Sequence, residues 1–219
     1  MAVADTHTFE TDIGSVPAGD VFVHAGDLCR AGSLNELEAP AAWIRGLPHL
    51  HKIVIAGNHD WCFVHHPGQA RKLLGDTVTF LQDSGVTIEG VRFWGSAWQP
   101  EFCGWAFNLP RGPALAERWS LIPNDTDVLI THGPPAGFGD NTTVEHRQGC
   151  EDLLRELDRV SPRIHLFGHI HEDGGLWENG EVTLLNVNTW EGQRAPTVID
   201  LDVVTGTVTP LTVPPRDPW

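Results

Sequence analysis

The chain has 219 residues, 14 basic and 29 acidic, for a formal net charge of −15. That balance excludes a long nucleic acid or an anionic membrane surface as the main partner, but not a small anion held in a local pocket. With 41% hydrophobic and 20% charged residues, the composition is that of a folded chain with a sizeable core, expected as one domain over residues 1–219.

No apolar run approaches the roughly 18 residues of a membrane span. The opening MAVADTHTFE has neither the basic nor the apolar region of a secretory leader. Cys29, Cys62, Cys103 and Cys150 are scattered without a CxxC pair, so reduced thiols and a cytoplasmic setting are expected.

In chain order, VFVH (Val21–His24) is the first short, continuous apolar run, the pattern of a buried strand. Ser33–Arg45 follows as a helix, with Ser33 as cap and Glu36 completing a capping box. KIVI (Lys52–Ile55) is a second buried strand, and Val78–Leu81, Val86–Glu89 and Val91–Trp94 read as short antiparallel strands, the last two joined at Glu89-Gly90. DVLI (Asp127–Ile130) and RIHLF (Arg163–Phe167) are further buried strands. Between them Cys150–Val160 is a helix with Leu153, Leu154, Leu157 and Val160 on one face. Val182–Val187, Thr197–Val203 and Thr207–Val213 read as antiparallel strands with a turn at Thr205-Gly206, and the proline-rich tail is expected to lie extended.

The buried runs share one feature: each ends in polar, metal-competent residues. In order these are Asp5 and His7, Asp27, Asn58-His59-Asp60, His132, and His169 with His171. Carboxylate, imidazole and amide oxygen together make a borderline-hard site, suited to Mn, Fe, Zn and related divalent ions rather than to calcium or a thiolate-bound metal. There are too many ligands for one tetrahedral ion, and enough for two ions sharing a carboxylate. Paired ions about 3.5–4 Å apart can clamp both oxygens of a phosphoryl displacement. The other histidines (His24, His49, His51, His65, His66, His146 and His165) are assigned to structural or surface roles.

DTH (Asp5–His7), GD (Gly26-Asp27), GNHD (Gly57–Asp60), THGPP (Thr131–Pro135) and GHIH (Gly168–His171) resemble the five ordered motifs of the calcineurin-like metallophosphoesterase superfamily. KIVIAGNHD, THGPP with GFGD behind it, QGCEDLL and HLFGHIHEDG are similar to its MPPED metallophosphodiesterase group. The resemblance implies a four-layer αββα sandwich of two mixed β-sheets flanked by helices, in the α/β class. It further implies two divalent ions, Mn²⁺ or Fe first, with Zn²⁺, Ni²⁺, Co²⁺ or Mg²⁺ as alternatives. One ion is expected on Asp5, His7, Asp27 and His171; the other on Asp27, Asn58, His132 and His169. His59 is expected to approach the substrate as a catalytic group, with Asp60 orienting it. A water activated between the ions is the implied nucleophile.

The implied activity is hydrolysis of a small-molecule phosphodiester, a cyclic nucleotide among the candidates. A phosphomonoesterase or nucleotidase on the same site is the enzymatic alternative, and a non-catalytic scaffold the other. Retention of all the metal-competent residues and of His59 weighs against a scaffold. GDLCRAG (Gly26–Gly32) departs from the GDxxDRG of Ser/Thr protein phosphatases, with Arg30 and Ala31 at the differing positions, which counts against phosphoprotein substrates. Only four residues precede Asp5, fewer than the first strand of such proteins usually has. The aromatic segment Phe93–Gly112 has two readings: a core cap built from Trp94, Trp98 and Phe107, or a substrate wall. In the second, Trp98 or Trp105 stacks a base while Asn108 and Arg111 meet a phosphate or ribose.

Overall fold

The computed structural model describes residues 1–143 and 146–213; the expected extended tail, residues 214–219, lies outside them. The first sheet is parallel throughout and ordered β1 (Ala2–Val3), β2 (Val21–Ala25), β3 (His51–Ile55), β4 (Thr79–Phe80). Its crossovers carry α1 (Leu34–Gly46), α2 (Cys62–His65) and α3 (Pro67–Leu74). α1 begins as expected: Ser33 Oγ accepts the Glu36 N–H while the Glu36 carboxylate reaches back to the cap.

β5 (Ser84–Ile88) and β6 (Val91–Ser96) form the expected hairpin. Two two-residue strands follow, β7 (Gln99–Pro100) and β8 (Asn108–Leu109), then α4 (Pro113–Trp119) and β9 (Val128–Thr131). Next come β10 (Asn141–Thr142), β11 (His146–Arg147), α5 (Glu151–Val160) and β12 (Ile164–Phe167). β13 (Gly175–Asn179), β14 (Val182–Asn186) and the hairpin of β15 (Val198–Leu201) with β16 (Val208–Thr212) complete the chain. The second sheet is mixed, in the order β13-β14-β12-β9-β6-β5.

Side-chain alternation along the strands explains the layering, because successive residues face opposite sides of a sheet. Val23, Ala25, Ile53 and Ile55 point inward to meet Val128, Ile130, Ile164 and Leu166 of the other sheet. Their neighbours Phe22 and Val54 face outward onto Leu37, Ala41 and Ile44 of α1 and Leu74 of α3. On the far side Leu129, Phe167 and Leu184 pack with Leu115 and Trp119 of α4 and Leu153 and Leu157 of α5. The result is the αββα sandwich. Among the described residues, no helix is long and apolar enough to cross a membrane.

Three strand and helix expectations change. Thr79–Phe80 runs parallel to β3, since two short helices between them turn the chain back over the sheet. Val182–Asn186 likewise pairs parallel with β12, and antiparallel only with β13, a strand whose GLWEN sequence lacks a clear alternation. On α5, Leu154 is half-buried and Asp152 buried instead, its carboxylate accepting the Gly112 N–H at 2.8 Å.

Leu129 is fully buried between the second sheet and its helices. Leu129→Ala is expected to cost about 2–5 kcal/mol, read as a lowered urea midpoint at unchanged slope. A loss under about 1 kcal/mol would contradict the packing described.

Candidate metal centre

The expected ligands gather beyond the C-terminal ends of parallel strands, where an α/β sheet opens a crevice. Asp5 and His7 follow β1, Asp27 follows β2, Asn58 follows β3, His132 follows β9, and His169 and His171 follow β12. Asp5, His7, Asp27 and His169 hold positive φ angles of 55°, 45°, 59° and 71°, a region L-residues enter at a cost and keep only where surroundings fix them. Glycines before Asn58 and His169 make room for the two carboxylates. A Cβ on Gly57 would collide with Asp27 Oδ1, and one on Gly168 with Asp5 Oδ2.

Three overlapping groups result. Asp5, His7 and His171 each bring a ligand atom within 4.8 Å of the others, as do His7, Asp27 and His59, and Asp27, His132 and His169. Asn58 joins the third group through Oδ1, 2.8 Å from His132 Nε2. Asp27 faces three imidazoles, with its Oδ2 3.3 Å from His132, 3.7 Å from His7 and 4.0 Å from His59. Asp5 Oδ1 lies 3.4 Å from His171 Nε2, and its carboxylate also accepts the His169 N–H.

Backbone carbonyls set the histidine tautomers. His7 Nδ1–H donates to Cys29 O at 2.9 Å, His132 Nδ1–H to Ala25 O at 3.0 Å and His59 Nδ1–H to Arg30 O at 2.5 Å. Each bond leaves Nε2 turned toward the carboxylates, the arrangement by which outer contacts orient metal ligands.

The charge balance fits divalent ions. Asp5 and Asp27 are buried carboxylates, and buried charge is costly without a partner. Burial alone would raise Asp27, but His132, then His7 and His59, hold it well below the usual carboxylate range. His132 is pushed up to about 9 against its own burial, by Asp27 first and then Asp5. His171 is raised, against burial, by its bond to Asp5. His169 falls to about 3, mainly by burial, and so presents a neutral ring. Cations on these two carboxylates would take over the neutralising role of protons on the imidazoles.

Asp60, expected to orient and charge-stabilise His59, directs its hydrogen bonds to backbone. Its carboxylate accepts four backbone N–H groups: Asp27 at 3.0 Å, Leu28 at 3.2 Å, Cys29 at 2.9 Å and Gly57 at 2.8 Å. It ties the Asp27 loop to the Asn58 loop, and the contact orienting His59 comes from Arg30 instead. Burial, and then the Asp27 charge, push Asp60 up to about 6 despite those donors, which leaves it ionised at neutral pH.

His59 has a side chain 26% exposed, against 2% for Asp27, so it stands at the mouth of the cluster. Trp105 covers its ring, with centroids 4.1 Å apart and planes tilted by 31°. Trp98 is not brought to the cluster: its Nε1–H donates to Asp83 at 2.8 Å, Arg118 lies over its ring and Phe107 packs against it. Asn108 donates to Phe102 O at 2.7 Å, and Arg111 to Gly149 O at 2.6 Å and Gln148 O at 2.8 Å. A cavity of about 360 Å³ opens beside His169, bounded by Arg111 together with Glu101, Phe102 and Glu172, three residues within the quoted segments that were given no individual role from sequence. Of the histidines assigned structural roles, His24 bonds Thr6 and His165 bonds Thr131, while the side chain of His146 lies outside the described residues.

Residues 1–173 match the family model described as calcineurin-like phosphoesterase. Metallophosphoesterase domain-containing protein 1 of Homo sapiens is 42% identical over 230 aligned residues, covering 92% of this chain and 70% of that protein. A UPF0046 protein of Caenorhabditis elegans, K07C11.7, is 41% identical over 199, covering 85% and 68%. The crystal structure of TT1561 of Thermus thermophilus superimposes with a TM-score of 0.65 at 13% identity, covering 95% of this chain and 96% of that one, which shows a shared fold.

Asp60→Asn is expected to keep acceptors for only part of the four N–H groups while aiming an NH₂ at the rest. Stability should fall by about 1–3 kcal/mol, with faster hydrogen exchange at Asp27, Leu28, Cys29 and Gly57. Unchanged exchange at those amides would contradict the assigned task.

Proposed function

The chain belongs to the calcineurin-like phosphoesterase family, and from that premise we propose that it is a metal-dependent phosphodiesterase acting on a small-molecule phosphodiester. The observation carrying this reading is that Asp27 contributes to two of the three His/Asp groups, one shared with His7 and His59 and the other with His132 and His169. Asp5, His7, Asp27 and His171 would hold one divalent ion, and Asp27, Asn58, His132 and His169 a second. Mn²⁺ or Fe suits these nitrogen and oxygen donors, with Zn²⁺, Ni²⁺, Co²⁺ and Mg²⁺ as alternatives. When bound, such ions lower the pKa of coordinated water and stabilise charge on phosphoryl oxygens.

The remaining chemistry belongs to the chain. Arg30 O fixes His59 by its Nδ1–H, so Nε2 is the atom that can pass a proton to the leaving oxygen. Trp105 limits how far that ring can swing. Asp60 holds the two loops on which Asp27 and Asn58 ride. Two carboxylates, Glu101 and Glu172, bound the adjoining cavity, which favours the single negative charge of a diester over the double charge of a monoester. Its size suits a small molecule, cyclic nucleotides included, and not a polymer. The same reading takes residues 1–219 as one catalytic domain in the cytoplasm, in keeping with its four free cysteines.

The test compares the Mn²⁺-loaded protein and its Asp27→Ala and His59→Ala variants on alkyl diesters, bis(p-nitrophenyl) phosphate and p-nitrophenyl phosphate. Metal-dependent turnover should favour diesters and vanish with Asp27→Ala. His59→Ala should lose about 10²–10⁴-fold on alkyl diesters and far less with the good nitrophenolate leaving group. Faster monoester turnover would favour a phosphomonoesterase, and absence of any metal-dependent turnover a scaffold; either would sink the diesterase reading.

A further inference from the structure

The cavity beside His169 has a composition unlike that of a phosphate-binding pocket. Glu101, Phe102 and Glu172 all line it, with Arg111 the single formally positive residue among the described lining. The Arg111 guanidinium is directed at backbone, donating to the carbonyls of Gly149 and Gln148. Phe102 is 46% exposed, an unusual position for a phenyl ring, and its ring meets His169 edge-on at 6.4 Å. An exposed aromatic face flanked by carboxylates is the chemistry that recognises an organic cation.

Both lining segments are fixed in place. Glu101 N–H donates to Leu109 O at 3.0 Å, and Asn108 donates to Phe102 O, which pins the Glu101-Phe102 corner. The buried Asn186 amide donates to Ile170 O at 2.8 Å and Asp173 O at 2.9 Å, bracketing Glu172. Thr143 Oγ1 donates to Glu172 Oε1 at 3.4 Å, leaving the other carboxylate oxygen outside that bond. The backbone that carries these three side chains is therefore already ordered, which lowers the cost of binding.

We infer that this cavity seats the non-reacting ester group of the substrate, and that it selects a group bearing an ammonium charge on a short apolar frame. Glu101, Glu172 and Phe102 are its specificity-determining residues. The inference rests on the phosphodiesterase reading for its place in the reaction, since the phosphoryl group would lie on the neighbouring His/Asp cluster. A substrate carrying a second phosphate would meet the two carboxylates and be rejected.

A matched pair of esters tests this. p-Nitrophenyl phosphorylcholine and p-nitrophenyl 3,3-dimethylbutyl phosphate differ only in a quaternary nitrogen replaced by carbon. In each, the water oxygen bonds to phosphorus and the P–O bond to the aryl group breaks. The electron pair leaves on p-nitrophenolate, and the water's proton passes to buffer. With the Mn²⁺-loaded protein at low salt, kcat/KM should favour the cationic ester about tenfold, and the ratio should fall to about one in Glu101→Gln/Glu172→Gln. Ligand-observed NMR on the metal-free protein gives a second readout: choline should bind in the millimolar range and 3,3-dimethylbutanol should not. A ratio near one in the parent protein, or equal binding of the two alcohols, would overturn the inference and leave the phosphodiesterase reading standing. If neither ester is cleaved, that reading fails instead, and the NMR comparison still decides the cation site.

Discussion

Asp27 is a carboxylate taken out of water and surrounded by imidazoles, and the rest of the site follows from holding it there. A buried charge must be matched by opposite charge or by donated hydrogen bonds, or the fold loses several kcal/mol to it. Here both devices operate. One Asp27 oxygen accepts the His59 N–H at 2.8 Å, and the other faces His132, His7 and His59. Asp60, itself buried, gathers N–H groups from both loops and so fixes the backbone on which Asp27 and Asn58 are carried. Positive φ angles at four of the proposed ligands are the cost of this convergence. They persist because hydrogen bonds hold those residues: the Asp5 carboxylate accepts the His169 N–H, Asp60 accepts the Asp27 N–H, and Cys29 O accepts from the His7 ring.

Much of the frame was readable from residues alone, because a buried strand writes itself as a short apolar run and a crevice as the polar residues after it. Val21–Ala25, His51–Ile55, Val128–Thr131 and Ile164–Phe167 lie where those runs lie, and each delivers proposed ligands at its end. Strand direction was less legible. Thr79–Phe80 and Val182–Asn186 turned out parallel to β3 and β12, since direction depends on what connects the strands, and α2 and α3 were too short to leave a periodic trace. The tautomer-setting acceptors were invisible for a simpler reason: every residue has a carbonyl, and only the fold chooses which one faces a histidine.

The substrate side shows the same division more sharply. Trp98 fitted either a core cap or a substrate wall in sequence and Trp105 only the wall; Trp98 commits its N–H to Asp83 and packs on Phe107, while Trp105 covers His59. Phe102, an ordinary aromatic in a glycine- and proline-rich stretch, is the ring that bounds the cavity. Whether an aromatic faces core or crevice depends on contacts distant in sequence, such as the pairing of Gln99–Pro100 with Asn108–Leu109. The net charge of −15 gains meaning in the same way. Its acids fall in two places here: Asp5 and Asp27 in the cluster, where they would attract cations, and Glu101 and Glu172 on the cavity next to it.

The claim on which all of this turns is that Asp27 is shared by two metal ions. Crystals grown with Mn²⁺ and measured near the manganese absorption edge would test it directly. Two anomalous peaks are expected about 3.5–4 Å apart, with Asp27 between them, one beside Asp5, His7 and His171 and the other beside Asn58, His132 and His169. A single peak, or peaks lying away from Asp27 at saturating Mn²⁺, would contradict the shared-carboxylate centre.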